Sequence, residues 1–192
     1  MTTAVPSNPV APPWDLLIRG GKVFDGTGSA PRGVDIAIAA GRVVAMHAGI
    51  DPQDATTVIE ADGCWVTPGL LDVHTHYDLE VELDPGLPES VRHGTTTVVM
   101  SSCSLGLAFG NQRHTGADPI VSCFARVENL PKEVLAAAAD RATWREPADY
   151  LAHLDGLPLG PSVVSLVPHT MRELNEPDLG DREGRTSTAR GV

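Results

Sequence analysis

The sequence predicts an α/β protein in two parts: a small all-β portion over residues 14–66, then alternating strands and helices over 67–172. Two patterns carry that prediction. Residues 14–66 hold short apolar runs separated by glycine turns, and helix periodicity is missing throughout. After Thr67-Pro68-Gly69, three apolar, β-branched runs are joined by segments with helix start and stop signals, long enough for parallel crossovers.

In the first part the strand candidates are Leu16 to Ile18, Val23-Phe24, Ile36 to Ile38, Val43 to Met46, Thr57 to Ile59 and Cys64 to Val66. Gly20-Gly21, Asp25-Gly26 with Gly28, Ala40-Gly41 and Asp62-Gly63 supply the turns between them. Asp35 to Ala39 alternates as a half-buried strand does, and Gly41 suits the tight turn that follows. Together these predict hairpins of a small sandwich or meander.

The second part opens with Leu70 to Val73, read as a buried strand ending at His74. Pro88 at a first helical turn and Gly94 at a C-cap bracket a short helix, Pro88 to His93, with His93 as a capping residue. Thr95 to Met100 is β-branched and apolar, hence a second buried strand, ending at Ser101-Ser102-Cys103. Ser104 to Leu130 is rich in Gly, Ser and polar residues and reads as one long loop, a length typical of functional or disordered segments. Asn129 before Pro131 is expected to open a helix from Lys132 to about Asp140. Another helix starts near Pro147 with Tyr150, Leu151 and Leu154 on one face. Gly160-Pro161 stops it before a third buried strand, Ser162 to Val167, closed by Pro168-His169. The ends, 1–13 and 173–192, have the composition of a disordered leader and a disordered or unrelated tail.

Composition narrows the function classes. The chain has 192 residues, 42% of them hydrophobic, and a net charge of -11, which argues against nucleic acid or an anionic membrane face as a partner. No run approaches the length of a membrane span, and the proline-rich start lacks the basic and apolar regions of a secretory signal. Three cysteines, an odd number, do not suggest a disulfide framework and make a reducing cytoplasm the expected compartment.

Chemistry enters with His74-Thr75-His76. On an extended backbone residues i and i+2 point to the same side, so both imidazoles can reach one point. Two nitrogen ligands just past a strand end are a sensible start to a metal site. All three predicted strands end in a potential ligand: His74 and His76, then Cys103, then His169. In parallel α/β architectures, ligands and catalytic groups collect at the carboxyl ends of the strands. Asp78 is read either as a carboxylate orienting the histidine pair or as a solvated residue of the strand-to-loop transition. His47, His93, His114 and His153 are read as surface residues, and Cys64 and Cys123 as ordinary thiols.

These residues resemble a known family. The segments Asp15 to Gly28, Asp35 to Ile38 with Gly41-Arg42-Val43, and Pro68-Gly-Leu-Leu-Asp-Val-His-Thr-His-Tyr-Asp78 are similar to the amidohydrolase superfamily. Within it the chain looks most like the N-acyl-D-amino-acid deacylases. His93-Gly94-Thr-Thr-Thr-Val-Val-Met-Ser-Ser-Cys103 is similar to the second-strand motif bearing that family's metal-binding cysteine, and Phe124 to Pro131 with Leu157 to Pro161 extend the likeness over about residues 14–172.

The resemblance implies a TIM-like (β/α)8 barrel with a small β-sandwich, and one or two zinc ions that activate water for attack on a linear amide of an N-acyl amino acid. It implies His74, His76 and Cys103 as metal ligands, the thiolate standing where many relatives use a carboxylated lysine. Arg126 and Glu128, in a loop of family-like sequence, are expected at the substrate mouth, and His169 near the substrate. A full barrel takes about 250 residues, so about three strands of one are expected here. The later histidines and the aspartate base implied by the family have no counterpart, so no catalytic residue is expected in this chain. An N-terminal fragment is therefore anticipated, dependent on a complementing C-terminal portion, with a non-catalytic product as the alternative. A cyclic-amide hydrolase of the hydantoinase or dihydroorotase kind is disfavoured by Cys103.

Overall fold

A computed structural model of the chain describes residues 12–110 and 118–168. The chain divides into two compact units, Met1–Pro68 and Gly69–Val192. The expected tail 173–192 lies outside the described residues, as does the expected leader except for Pro12 and Pro13.

Among the described residues the first unit holds seven strands: β1 (Trp14–Arg19), β2 (Lys22–Val23), β3 (Arg32–Gly33), β4 (Asp35–Ala39), β5 (Arg42–His47), β6 (Ala55–Glu60) and β7 (Trp65–Val66). They form a four-stranded sheet in the order β5-β4-β1-β6 and a three-stranded one in the order β3-β2-β7. The alternation of β4 turns Ala37 into a core cluster with Leu17 and Ile50. Ala40 and Gly41, both at positive φ (49° and 71°), make the tight turn to β5, as two-residue hairpins require. Asp35 ties two turns to this sheet: Oδ1 accepts from Gly20 N at 3.1 Å, and Oδ2 from Gly49 N at 2.8 Å and Ile50 N at 3.1 Å. Burial alone would raise its carboxyl pKa, but these three N–H donors, aided by Arg19, outweigh it and hold it below the usual value.

The second unit runs β8 (Leu70–Asp72), α1 (Glu80–Leu83), α2 (Pro88–Arg92), β9 (Thr95–Met100), α3 (Pro119–Val127), α4 (Lys132–Ala139), α5 (Pro147–Asp155) and β10 (Ser162–Ser165). The strands form one parallel sheet in the order β10-β9-β8. Strands adjacent in sequence are thus adjacent in space, and all three carboxyl ends lie on one side. The core cluster includes Val98, Met100, Leu107, Phe124, Leu135 and Tyr150. Helix α2 has Pro88 at its first turn and His93 as its C-cap, followed by Gly94 at φ 87°. Among the described residues no helix is long and apolar enough to cross a membrane.

Several expectations about these elements are corrected. The stretch Ser104 to Leu130 is not one loop. Asp118 caps Val121 N at 3.0 Å and Pro119 starts α3, whose Ile120, Val121 and Phe124 bury one face; the polar run before it masked these signals. Asn129 does not open α4: it sits at φ 53°, and Pro131 precedes the helix. On α5, Tyr150 and Leu154 are buried but Leu151 is exposed. Finally, β8 is apolar without being buried. Among the described residues it pairs only with β9, and Leu70, Leu71 and Val73 are 58%, 66% and 67% exposed; the third strand, also expected to be buried, leaves Val164 48% exposed.

His153, read as a surface residue, bridges elements instead. Its Nε2 lies 3.0 Å from both carboxylate oxygens of Glu82, whose side chain is buried in α1. Trp144 stacks on its ring at 4.4 Å, and Arg141 donates to the Glu82 carbonyl oxygen. The bridge fastens α5 to α1.

Candidate metal centre

Just beyond β8, Thr75 is sewn to β9. Its N–H and its hydroxyl both donate to Val99 O, at 3.0 and 2.9 Å. Thr75 is buried, and His74 and His76 flank it. Their ring centroids are 5.5 Å apart.

Cys103 joins them from beyond the end of β9, where the chain turns sharply. Ser101, Cys103 and Ser104 all have positive φ, at 64°, 54° and 62°, a region that costs non-glycine residues of order 1 kcal/mol or more each. Such strain persists only where the surroundings over-determine it, and Asp78 is the part that does so. Its carboxylate is 0% exposed. One oxygen accepts from Ser101 N at 2.9 Å; the other accepts from Ser101 Oγ at 2.6 Å, Leu107 N at 3.3 Å and Tyr150 Oη at 3.4 Å. Gly106 makes room for this arrangement, since a Cβ there would fall 2.6 Å from Ser101 Oγ. Burial pushes the Asp78 carboxyl pKa up against the pull of those donors. The Tyr150 hydroxyl is raised well above its ordinary value by burial, and then by the charges of Asp78 and Glu82.

The two readings left open for Asp78 are therefore both replaced. It is not solvated, and its bonds go to the turn that carries Cys103, not to the histidines. Sequence alone could not show this, because Ser101, Leu107 and Tyr150 reach it from 23, 29 and 72 residues away.

The structure brings His74, His76 and Cys103 together: one ligand atom from each lies within 4.8 Å of the others, and His74 Nε2 is 3.2 Å from Cys103 Sγ. The donor set of two imidazoles and a thiol is one that zinc favours. His76 Nε2 is buried without a hydrogen-bond partner among the described residues, as a nitrogen kept for a cation would be. On this test the residues fit a metal ion.

Of the residues expected at the substrate mouth, Glu128 is close: its Oε1 is 2.5 Å from His76 Nδ1. Arg126, exposed in the last turn of α3, does not line the cavity beside the histidines. His169 lies outside the described residues. That cavity has a volume of about 430 Å³ and is walled by Leu79 and Leu83, by Phe124, and by Leu130, Val134 and Leu135, with Glu80 and Glu128 as carboxylates. Burial, and then the nearby Asp84, raise the Glu80 pKa.

No model of a known protein family matches the chain. Among curated proteins it is 48% identical over 159 residues to an uncharacterized protein of Mycobacterium tuberculosis (strain ATCC 25618 / H37Rv), covering 82% of this chain and 25% of that one. It is 32% identical over 160 residues to N-acyl-D-aspartate deacylase, and 29% over 171 residues to D-aminoacylase, both of Alcaligenes xylosoxydans xylosoxydans. The shares covered are 81% and 87% of this chain against 28% and 32% of those proteins. Among solved structures, N-acyl-D-glutamate deacylase from Bordetella bronchiseptica, complexed with zinc and a phosphonate inhibitor, superposes with a TM-score of 0.66. It is 29% identical, over 84% of this chain and 31% of that one. A D-aminoacylase crystal structure gives 0.67 at 25% identity, over 87% and 32%. The chain thus spans a quarter to a third of the length of the relatives it matches. In sequence and in fold it belongs with the N-acyl-D-amino-acid deacylases of the amidohydrolase superfamily, and it corresponds to their N-terminal part.

Proposed function

We propose that this chain carries the zinc-holding strand ends of an N-acyl-D-amino-acid deacylase, a hydrolase of linear amides. The convergence of His74, His76 and Cys103 within 4.8 Å, with a buried unpartnered His76 Nε2, carries the reading. Bound there, zinc would supply Lewis-acid polarisation of an amide carbonyl and activation of water. The chain's own residues hold the ligands in place: Thr75 fixes the histidine pair against β9, and Asp78 fixes the turn before Cys103. The cavity flanking the histidines gives an apolar wall to a small N-acyl amino acid.

The three parallel strands in chain order support the first strands of a (β/α)8 barrel. The exposed outer edge of β8 suits pairing with the barrel strands that make up the rest of the relatives' length. Hydrolysis on this reading requires that complementing portion, which would bring the remaining ligands and the base. Free Cys64, Cys103 and Cys123, one of them needed as a thiolate, suit a reducing cytoplasm.

The test is metal binding by the full chain. Purified protein is expected to retain zinc and, loaded with cobalt, to show a thiolate-to-metal charge-transfer band. The band should vanish in Cys103→Ser, and zinc should be lost in a His74→Ala/His76→Ala variant. Zinc content equal to that of the double variant, or a cobalt spectrum indifferent to Cys103, would overturn the reading.

A further inference from the structure

We infer that Glu128 is a positioning residue that holds the His76 ring with Nε2 turned toward His74 and Cys103, in place of the substrate contact its loop sequence implies. The inference rests on the reading of those three residues as metal ligands. Glu128 Oε1 lies 2.5 Å from His76 Nδ1, the closest polar approach either side chain makes among the described residues. A carboxylate is an acceptor only, so Nδ1 must carry the proton, and in the neutral ring Nε2 is then left with its lone pair. That second nitrogen is the buried atom without a partner. One contact thus fixes the tautomer and the orientation of the ring.

Glu128 is placed for this by packing, not by sequence proximity, since 52 residues separate it from His76. It is the C-cap residue of α3, its N–H donating to Phe124 O at 2.8 Å. The helix is seated by buried Ile120, Val121 and Phe124. Helix α3, lying between β9 and β10 in sequence, thereby becomes part of the metal site. Arg126, two residues earlier, points to no such role, which separates the two residues that the sequence treats alike.

The experiment combines ring-nitrogen NMR of ¹⁵N-histidine-labelled full chain with zinc titration of wild type, Glu128→Ala and Glu128→Gln. Wild-type His76 is expected as the Nδ1–H tautomer without metal, a readout that needs no variant to fold. Glu128→Ala should populate both tautomers and weaken zinc about 10- to 100-fold. Glu128→Gln, which retains a carbonyl oxygen to accept the bond, should keep the tautomer and lose less affinity than Glu128→Ala. An Nε2–H tautomer in the wild type, or unchanged zinc affinity in a folded Glu128→Ala, would overturn the assignment. Absence of zinc binding in the wild type, with the tautomer still responding to Glu128→Ala, would instead sink the metal reading and leave the hold of Glu128 on the ring standing.

Discussion

Replacing Asp78 tests whether one buried carboxylate shapes the end of β9. In Asp78→Ala four acceptor contacts disappear. Two are short, to Ser101 N and Ser101 Oγ at 2.9 and 2.6 Å; two are long, to Leu107 N and Tyr150 Oη at 3.3 and 3.4 Å. The Ser101 N–H, in a buried residue, loses its acceptor. Leaving a buried donor unsatisfied costs about 1–3 kcal/mol, and the long contacts contribute little. The Ser101 hydroxyl can turn to Ser165 Oγ, 3.1 Å away, and removing a buried carboxylate recovers part of its desolvation cost. The net expectation is a loss of about 1–3 kcal/mol of stability in the second unit.

Asp78→Asn should cost less, about 1–2 kcal/mol. Its carbonyl oxygen can face Ser101 N while its amide donates to the two hydroxyls, so that mainly the Leu107 contact is lost. Urea unfolding gives the total, and amide hydrogen exchange locates it. Ser101 and Leu107 N–H should exchange faster in both variants, and zinc affinity should fall as the Cys103 turn relaxes. An Asp78→Ala protein within 0.5 kcal/mol of wild type, with Ser101 exchange unchanged, would refute the assignment of Asp78 as the clamp.

Two further outcomes follow from other polar contacts. His153→Ala strands the buried Glu82 carboxylate and removes the stack on Trp144. With His153 31% exposed, the cost should be about 2–3 kcal/mol, below that of a fully buried pair, and a Glu82→Gln/His153→Gln protein should regain part of it in urea melts. Asp35→Asn places an amide donor against one of the three N–H groups the carboxylate now accepts and should cost roughly 1 kcal/mol at neutral pH. Because the folded Asp35 carboxyl sits below its ordinary value, its stabilisation is complete above the unfolded value of about 4 and is lost as pH falls through the folded one. The acid limb of the first unit's stability curve should therefore flatten in Asp35→Asn, as circular dichroism between neutral and strongly acidic pH would show.

Periodicity and turn chemistry were enough for the elements whose signals are local. Ala40-Gly41 names its own hairpin turn, Pro88 and Gly94 frame α2, and the β-branched run Thr95 to Met100 becomes β9 with those bounds. The spacing of His74 and His76 was enough to anticipate that both reach one point. The failures fall where a local signal was masked or where context overrode it. Helix α3 was hidden behind a polar run, although Asp118-Pro119 is an ordinary helix start. The apolar composition of β8 promised burial, but exposure depends on which neighbours a strand has, and β8 is an edge.

What sequence by itself determined is the inventory: a glycine-punctuated β portion, three parallel strands, and imidazole and thiol ligands at their ends. What tertiary structure alone decided is how those ligands are held. Asp78 bonds to residues up to 72 positions away, and Glu128 reaches His76 across 52. No spacing rule spans such separations, because they are fixed by how helices α3 and α5 pack into one core cluster with β9. Carboxylates bond to whatever donors the fold delivers, and which donors those are is a property of the packed chain.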